Sequence, residues 1–393
     1  MTETIIINKR IQSIDLLRGL VMTTMALDHS RDFIHYGSSI NQDPLDFATT
    51  TPILFMTRWI THFCAPVFVF LSGTSIFLYS SKGKTKKQVA FFLFTRGLFL
   101  MFAQIFIMAP LWDASLSLIN LQVIWAIGLC MVILSVLQFL PYKLLFVLGL
   151  IIIFSHNLLD SIAIDTPFWK SFLWAVVHQE HEFKINNNLF VIVAYPFLPW
   201  LGLMISGYCI AKLYLPETDV KSRKKLLQTF GISSILLFAL IRYLHIYGDL
   251  NPWQHQPSLL YTFFDFIDTT KYPPSLLYIL MTIGPALIVL PYLENISHRG
   301  IWKKIIVFGR VPFFYYVLHV ALIHSIAFLI LFASGHSLNE LDFHREGALP
   351  YGSGHALWLV YIVWIVAIFI LYFPCRWYSN YKATHKHWWL SYI

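Results

Sequence analysis

The feature that most constrains the fold of this chain is a succession of apolar runs, each close to 20 residues long and separated by polar segments. A helix of about 20 apolar residues crosses the hydrocarbon layer of a membrane, and in lipid only helices and closed barrels satisfy the main chain. Charged residues make up 12% of the 393 positions, against about 25% in soluble domains. We therefore predict an all-α, polytopic integral membrane protein with about ten transmembrane helices, at residues 13–34, 52–80, 88–108, 116–138, 143–159, 188–214, 226–247, 273–294, 305–333 and 355–374.

The lysines and arginines between these runs predict the orientation of the chain. With the N-terminus in the cytoplasm, eighteen of them flank cytoplasmic helix ends and five flank the opposite ends, as the positive-inside rule requires. Both termini are then cytoplasmic, and residues 375–393, which contain Trp388 and Trp389, form an interfacial tail. The net charge of +8 lies in these short clusters, so we expect no nucleic-acid partner. Without a linker or a repeat, we expect one domain over residues 1–393.

Five arginines lie inside predicted spans, where an ionisable group is costly unless it faces protein, water or a ligand. These are Arg18, Arg58, Arg96, Arg242 and Arg310. Arg18 also shares a helix with His29, eleven positions later. At 100° per residue the two side chains lie on one face, separated by about 16 Å along the axis. One helix would therefore present a charged or titratable group near each side of the membrane.

The first span carries a motif that resembles a known family. The stretch "SIDLLRGLVMTTMALDH" contains DxxRG followed by an apolar run and His29. It is similar to the first helix of transmembrane acyltransferases that acylate glycans, and most similar to the heparan-alpha-glucosaminide N-acetyltransferase branch with its bacterial relatives. Further similar stretches follow in order, so that the resemblance covers most of residues 13–330: "APVFVFLSGTSIFLY" (65–79), "YPFLPWLGLMISGY" (195–208), "KYPPSLLYILMTIGPAL" (271–287) and "FGRVPFFYYVLHVALIH" (308–324).

The resemblance implies an enzyme that takes an acyl group, usually acetyl, from cytosolic acyl-CoA and delivers it to a sugar amine or hydroxyl across the membrane. The substrate acetyl-CoA would be the donor, and the bacterial cytoplasmic (inner) membrane the location. The resemblance also implies a central histidine near the outer end of the first helix or in the loop after it, which makes His29 and His35 the candidates. Dimeric relatives also suggest a homodimer.

Three of the buried arginines are expected at one depth near the cytoplasm. Arg18, Arg96 and Arg310 each lie within two to three turns of the inner end of their helix. Guanidinium groups make forked, charge-assisted bonds to phosphate, so together they would suit the phosphates of CoA. The alternative is that each arginine extends separately to the phosphates of lipid headgroups.

Histidines from three predicted spans are expected at a second depth, nearer the outside. His62 and His319 join His29 there, and Arg58 faces the same way as His62. An imidazole titrates near neutral pH, so it can take a proton from an attacking amine or hydroxyl, or be acylated itself. The alternative for His62 and His319 is a packing role. Asp28 or Asp32 would orient an imidazole, or else pair with Arg31.

Other polar groups complete the candidate site. Arg242 and His245 lie at the outer end of the seventh span, where they would border the acceptor or cap the helix, and Arg58 and Asp32 are further candidates for acceptor binding. No metal-binding spacing occurs, because "HQEHE" at 178–182 falls in an outer loop. A secondary transporter of a glycan or small anion is the alternative function, and it predicts inverted repeats that the sequence does not show.

Overall fold

The computed structural model describes residues 10–297 and 299–393 as helices running between two faces, joined by loops and one small sheet. Lys9, one of the basic residues used to predict orientation, lies outside the described residues. The helices are α1 Gln12–Ile34, α2 Tyr36–Ser39, α3 Pro52–Thr61, α4 Cys64–Ser80, α5 Lys86–Ala103, α6 Ala109–Asp113, α7 Val123–Leu137, α8 Tyr142–Ser155, α9 Phe168–Val177, α10 Phe197–Ile210, α11 Val220–Leu244, α12 Leu259–Ile267, α13 Leu276–Ile296, α14 Gly300–Arg310, α15 Pro312–Ala333 and α16 Leu357–Thr384.

Eight helical stretches of the described chain are long and apolar enough to cross a membrane, which makes this a polytopic membrane protein. They are Pro52–Ser80, Lys86–Asp113, Tyr142–Leu159, Phe197–Tyr214, Val220–Leu244, Leu276–Ile296, Pro312–Ala333 and Leu357–Thr384. Two further predicted spans are helical but differ in character. Helix α1 has 23 residues and carries charged side chains along its buried faces, whereas α7 is apolar but has only 15 residues.

A three-stranded sheet departs from the predicted all-α fold. Strands β1 Leu118–Asn120, β2 His181–Asn186 and β3 Leu189–Val193 form it, with β3 in the middle, parallel to β1 and antiparallel to β2. The predicted runs 116–138 and 188–214 therefore begin as strands and become helical only at Val123 and Phe197. Short apolar segments fit either structure by their pattern alone, which explains the error.

A second departure lies in the predicted span 305–333. The chain leaves helical geometry at Val311 (φ −130°, ψ 53°) and starts α15 at Pro312. Proline lacks an N–H and is accepted in the first turn of a helix, so it begins α15 rather than continuing α14. The break leaves Arg310 at the C-terminal end of α14.

Helix α1 lies at the centre of the molecule, in contact with α4, α13, α14, α15 and α16. Its crossing with α14 is especially close, because both helices carry a glycine there. A Cβ atom on Gly309 would lie 1.8 Å from the carbonyl oxygen of Asp15, and one on Gly19 would lie 2.2 Å from that of Ile305. The two helices can therefore approach until main chain meets main chain, which sets the position of Arg18 against α14.

The two ends of the helix bundle differ. The end that we call the loop face contains the sheet and residues 35–51, 160–196, 245–275 and 334–356. These loops bind one another. Arg345 Nη2 donates to the Ser39 carbonyl (2.7 Å), and the Tyr261 hydroxyl donates to the Thr50 carbonyl (3.3 Å). The opposite end, the basic face, contains the N-terminal end of α1, the segment 81–85 and the residues that follow α16. Helix α1 thus connects the two faces.

Candidate active site

A pocket of about 240 Å³ lies at the basic-face end of α1. We call it the arginine pocket, since five basic side chains line it from five parts of the chain: Arg10, Arg18, Arg96, Arg310 and Lys382. Its other described lining residues are apolar, aromatic or hydroxyl-bearing, and none is acidic. The pocket brings together all three arginines predicted to bind phosphate. It adds Arg10 and Lys382, which the sequence showed only as basic residues flanking spans.

Arg18 is held in this pocket by the protein itself. Its Nη1 donates to the Gly309 carbonyl (3.1 Å) and its Nη2 to the Ser75 hydroxyl (2.5 Å). Asp15, one turn earlier, accepts from Arg18 (3.4 Å) and from Arg10 (2.5 Å), and lies 4.0 Å from Arg310. One buried carboxylate thus faces three guanidinium groups. The cluster keeps a surplus of positive charge, which favours an anionic ligand.

Arg96 has a different kind of partner. One of its guanidinium nitrogens donates to the main-chain carbonyl of Ser391, and its Cζ lies 5.9 Å from the centre of the Phe92 ring. The Tyr392 hydroxyl is 2.7 Å from that of Thr95 on the same helix. The residues after α16 therefore pack against α5 beside the arginine pocket. The interfacial, cytoplasmic position of this tail stays a prediction.

A second cavity, of about 330 Å³, lies at the loop-face end of α1. We call it the His29 cavity. The side chains that give it polar character come from several helices and loops: Asp28, His29, Asp32, Arg58, Thr61, Trp112, Asn120, Gln122, Glu180, Tyr195, Lys271, Tyr272 and Tyr316. Phe68 and Ile124 line both this cavity and the arginine pocket. The two cavities therefore adjoin inside the bundle, with apolar side chains between them.

His29 is paired with His319 across the contact of α1 and α15. Nδ1 of His29 lies 2.7 Å from Nε2 of His319, and the two ring planes are nearly parallel, with centroids 4.8 Å apart. Nδ1 of His319 lies 2.9 Å from the carbonyl oxygen of Tyr315. The edge of Trp112 packs on the other side of His29, at 4.7 Å between ring centroids.

These contacts assign the hydrogens on both rings. A carbonyl oxygen only accepts, so Nδ1 of His319 carries the hydrogen of that bond, and Nε2 of a neutral His319 is then an acceptor. Nδ1 of His29 must donate to it. The lone pair of His29 therefore lies on Nε2, which has no hydrogen-bond partner among residues 10–297 and 299–393. A ring that lines a cavity with an uncommitted lone pair can act as a general base.

Asp28 belongs to an ion-pair network rather than to the histidine pair. Its carboxylate accepts from Arg58 at 2.6 and 2.9 Å and from Arg31 at 2.9 Å, and Arg31 also binds Asp32 at 2.6 Å. The prediction that Asp28 or Asp32 orients an imidazole does not match these contacts, whereas the alternative pairing with Arg31 does. His319 occupies the orienting position, because it lies directly against Nδ1 of His29.

A wider chamber of about 950 Å³ opens from the His29 cavity towards the loop face. We call it the vestibule. Seven residues line both: Asp32, Arg58, Trp112, Glu180, Ile192, Lys271 and Tyr272. His62 lines the vestibule, 1% exposed, and its Nδ1 has no partner in the described chain. Asp268 lies further out, where burial, together with Asp43, raises its pKa to about 7.

Three predicted site residues, His35, Arg242 and His245, belong neither to the histidine pair nor to the lining of the arginine pocket, the His29 cavity or the vestibule. Nδ1 of His35 accepts from the Gly37 N–H (3.1 Å) and so caps α2. Arg242 donates to the main-chain carbonyls of four residues, Asn251, Asp265, Phe266 and Asp268. His245 stacks on Trp253, with ring centroids 5.3 Å apart. Arg242 and His245 therefore hold the loop before α13, a role that the sequence did not predict.

The catalytic-domain family of heparan-alpha-glucosaminide N-acetyltransferase matches residues 10–248 of this sequence. That range covers more than half of the chain. It includes Arg18, His29 and Arg96. The chain belongs to this family. No curated protein sequence matches it significantly. The resemblance based on motifs in the sequence is thereby confirmed, and the protein is a multi-pass membrane protein of an acetyltransferase family.

The family match stops before several residues that complete the site. His319, Arg310 and Lys271 all lie beyond residue 248, so only the geometry brings them to the matched region. Lys271 was not predicted, although "KYPP" marks the start of α13 and places a cation and an aromatic ring there. Its Nζ lies 4.9 Å from the Tyr272 ring centre, and both residues line the His29 cavity. The sequence signal that could have identified Lys271 as a site residue is its position directly before an aromatic residue and the start of a helix.

The described residues contain no group of three or more histidine, cysteine or acidic side chains able to hold a metal ion. The four cysteines, Cys64, Cys130, Cys209 and Cys375, are all free and buried.

Proposed function

We propose that this protein transfers an acetyl group from acyl-CoA in the arginine pocket to a sugar amine or hydroxyl in the His29 cavity. One observation carries the proposal: α1 supplies Arg18 to a cationic pocket at one end and His29, paired with His319, to a cavity at the other. The two cavities adjoin at Phe68 and Ile124. Donor and acceptor can thus enter from opposite faces and meet inside the bundle.

The arginine pocket suits the phosphate end of the donor. Guanidinium groups bind phosphate oxygens through paired, charge-assisted hydrogen bonds, and four arginines and one lysine line this pocket. Arg18 and His29 are separated by about 16 Å along α1. The pantetheine arm of CoA is an extended chain of comparable length. With the phosphates at the arginines, that arm would pass Phe68 and Ile124 and bring its thioester towards His29.

The histidine pair supports direct transfer. His29 Nε2 would take the proton of the attacking amine or hydroxyl as a bond forms to the thioester carbonyl carbon. When the carbon–sulfur bond breaks, the leaving thiolate receives that proton, which gives the acetylated sugar and free CoA. Lys271 and the hydroxyl of Tyr316 line the same cavity and would stabilise the negative charge on the carbonyl oxygen. A two-step route would place the acetyl group on the same Nε2 atom.

We also propose ten membrane spans with both termini in the cytoplasm. Helices α1 and α7, added to the eight long apolar stretches, give the ten predicted spans. An even number supports termini on one side, and the distribution of basic residues supports the cytoplasm for both. The arginine pocket would then open to cytosolic acyl-CoA and the vestibule to the other side. We propose the bacterial cytoplasmic membrane as the location, and a homodimer as the assembly.

Two substitutions test the proposal in purified full-length protein. Arg18→Ala should weaken acetyl-CoA binding, measured by calorimetry in detergent. The matched control is Arg376→Ala, at an exposed arginine on α16, which should leave that binding unchanged. His29→Ala should leave that binding unchanged and abolish acetyl transfer to a glucosamine oligosaccharide, with His255→Ala as control. A transporter would release no CoA in this assay. If both Arg18→Ala and His29→Ala transferred acetyl groups normally, the assignment of the site would be wrong.

The two chemical routes are separated by omitting the acceptor. Incubation with radiolabelled acetyl-CoA alone should leave the protein unlabelled if transfer is direct. Label retained on the wild-type protein, and absent from His29→Ala, would instead establish an acetyl-histidine intermediate.

A further inference from the structure

A second buried histidine of α15 joins two parts of the chain near the loop face. His324, 4% exposed, lies five positions after His319. Its Nδ1 lies 2.8 Å from the carbonyl oxygen of Leu111 on α6, and its Nε2 lies 2.9 Å from that of Gly347. Gly347 belongs to the loop 334–356 and lines the vestibule. One imidazole therefore bridges α6 and a wall of that chamber.

The two acceptors of this bridge determine the charge of the ring. A carbonyl oxygen only accepts, and a neutral imidazole carries a hydrogen on only one of its nitrogens. A neutral His324 would therefore direct the lone pair of one nitrogen at a carbonyl oxygen 2.8 or 2.9 Å away, which is repulsive. An imidazolium donates from both nitrogens and satisfies both carbonyls.

The aromatic neighbours of His324 suit a positive charge. The rings of Phe33 and Phe328 stack on the imidazole, each with its centroid 4.4 Å away. Two nearly parallel rings at this distance cannot share one face of the imidazole, so it lies between them. The face of an aromatic ring attracts a cation. Both faces of the imidazole are thus in contact with groups that stabilise its protonated form.

The end of α6 favours a cation as well. Leu111 lies in the last turn of this helix, where carbonyl groups lack a partner within the helix and the helix dipole attracts positive charge. Asp113 ends the helix and accepts the Gly347 N–H through Oδ1 (3.3 Å), which brings a carboxyl group to the same junction. The cation of this loop, Arg345, lies two residues before Gly347 and donates to the Ser39 carbonyl.

This junction adjoins the side chain that packs on His29. Trp112 directly follows Leu111, and its ring lies 4.7 Å from that of His29 and 4.9 Å from that of Phe33. It lines both the His29 cavity and the vestibule. Helix α6 has only five residues and ends at Ala114, in the left-handed region (φ 50°). A contact that holds the Leu111 carbonyl therefore fixes the main chain one residue from Trp112.

We propose that His324 is held as an imidazolium that clamps Leu111 to Gly347 and thereby keeps Trp112 packed against His29. The inference rests on the function proposed above and adds a positioning residue to it, since His324 lines neither the His29 cavity nor the vestibule. Without the clamp the end of α6 shifts and His29 loses one of the walls that orient it. A displacement of about 1 Å at a reacting group can cost about 100-fold in rate.

The charge of His324 can be measured without any substrate. In full-length protein in detergent, with histidine rings labelled with ¹⁵N, the two nitrogens of an imidazolium resonate close together, whereas those of a neutral ring lie far apart. The His324 signals are those missing from the spectra of His324→Lys and His324→Gln. We expect an imidazolium at about pH 7.5, where a histidine in water is mostly neutral. A neutral His324, or a wild-type spectrum without any imidazolium signal, would overturn the proposal.

Two substitutions separate the charge of this side chain from its size. Lysine and methionine are unbranched and similar in length, but only the ammonium group can donate to both carbonyls. We expect kcat for acetyl transfer to a glucosamine oligosaccharide to fall at least about tenfold in His324→Met and to stay within about threefold of wild type in His324→Lys. The Kd for acetyl-CoA should be unchanged in both, because His324 does not line the arginine pocket.

A matched control and a double variant complete the test. His156→Met removes another buried histidine, whose ring nitrogens have no hydrogen-bond partner within the described chain, and should keep the wild-type kcat. Because His324 acts through Trp112, combining His324→Met with Trp112→Phe should cost no more than the larger single loss. Additive losses, or equal losses in the methionine and lysine variants, would overturn the clamp. Wild-type protein that releases no CoA with the acceptor would overturn the proposed function and leave the charge of His324 standing.

Discussion

Replacing His319 with phenylalanine tests the assignment of hydrogens in the histidine pair. His319 is fully buried between Tyr315 and His29, with ring centroids 5.0 and 4.8 Å away, so a phenyl ring of similar size can fill its place. The substitution removes both ring nitrogens. Nδ1 of His29 then loses its acceptor, whereas the Tyr315 carbonyl keeps the main-chain N–H of residue 319 within α15.

The structure allows both consequences to be sized. One buried group left unpaired costs about 1–3 kcal/mol, so His319→Phe should lower the free energy of unfolding by about that amount. The effect on catalysis is larger. Without a fixed acceptor at Nδ1, the hydrogen of His29 is free to occupy Nε2, where the base is needed. Because a positioned general base contributes about 10²–10⁴-fold, we expect kcat to fall by at least about 100-fold.

The assay separates this role from a general structural one. Acetyl transfer to a glucosamine oligosaccharide is measured as CoA release, and acetyl-CoA affinity is measured separately by calorimetry. The Kd for acetyl-CoA should stay within about twofold, because His319 does not line the arginine pocket. His319→Gln is the matched variant, since its amide offers both an acceptor and a donor. It should recover part of the lost kcat.

Two results would refute the reasoning. Transfer by folded His319→Phe within about threefold of wild type would show that His29 needs no partner at Nδ1. An equal loss of kcat in the phenylalanine and glutamine variants, with a parallel loss of acetyl-CoA affinity, would show that His319 supports the bundle as a whole. Size-exclusion profiles and thermal unfolding in detergent establish which variants are folded.

Three further predictions follow from other contacts. Arg96→Ala should raise the calorimetric Kd for acetyl-CoA about tenfold, which corresponds to about 1.4 kcal/mol, because it removes one charged donor from the arginine pocket. Asp268→Asn should raise the melting temperature at pH 8 and not near pH 4. Burial raises the pKa of Asp268 to about 7, so ionisation destabilises the fold as pH rises from about 4 to 7, by up to about 4 kcal/mol. Gly309→Ala should prevent folding, seen as loss of monodisperse protein, since its Cβ would lie 1.8 Å from the Asp15 carbonyl oxygen.

The sequence predicted the site best where ionisable residues lie at helical spacing within one predicted span. The spacing of Arg18 and His29 on one helix predicted two polar ends, and the structure places them in two adjoining cavities. The placement of Arg96 and Arg310 at a depth similar to that of Arg18 was predicted from distance along each helix, and all three line the arginine pocket. Depth can be read in this way because a membrane span fixes the axis of its helix. The rotation of each helix about that axis is set by packing and has no comparable signal.

Two features of the site could not be predicted from the sequence, because they depend on the rotation of one helix against another and on contacts to the main chain. The pairing of His29 with His319 depends on how α15 is turned against α1, which residue spacing within each helix does not determine. Arg242 was a candidate for acceptor binding because it lies at the outer end of the predicted seventh span. Its principal partners are carbonyl oxygens of residues 251–268, and any residue type supplies a carbonyl. Such contacts leave no trace in the pattern of side chains.

Helix α1 shows how charged residues can be kept inside a membrane protein without cancelling the charge needed for binding. Each end pairs a carboxylate with an arginine one turn away: Asp15 with Arg18, and Asp28 with Arg31. Burying an ion pair costs less than burying one charge alone, but it leaves no net field. The field at the basic-face end therefore has to come from arginines on other elements, and Arg96 on α5 supplies one with no carboxylate partner in the described chain. At the other end Asp28 is saturated by arginines, which leaves His29 free of a carboxylate and dependent on His319 for its orientation.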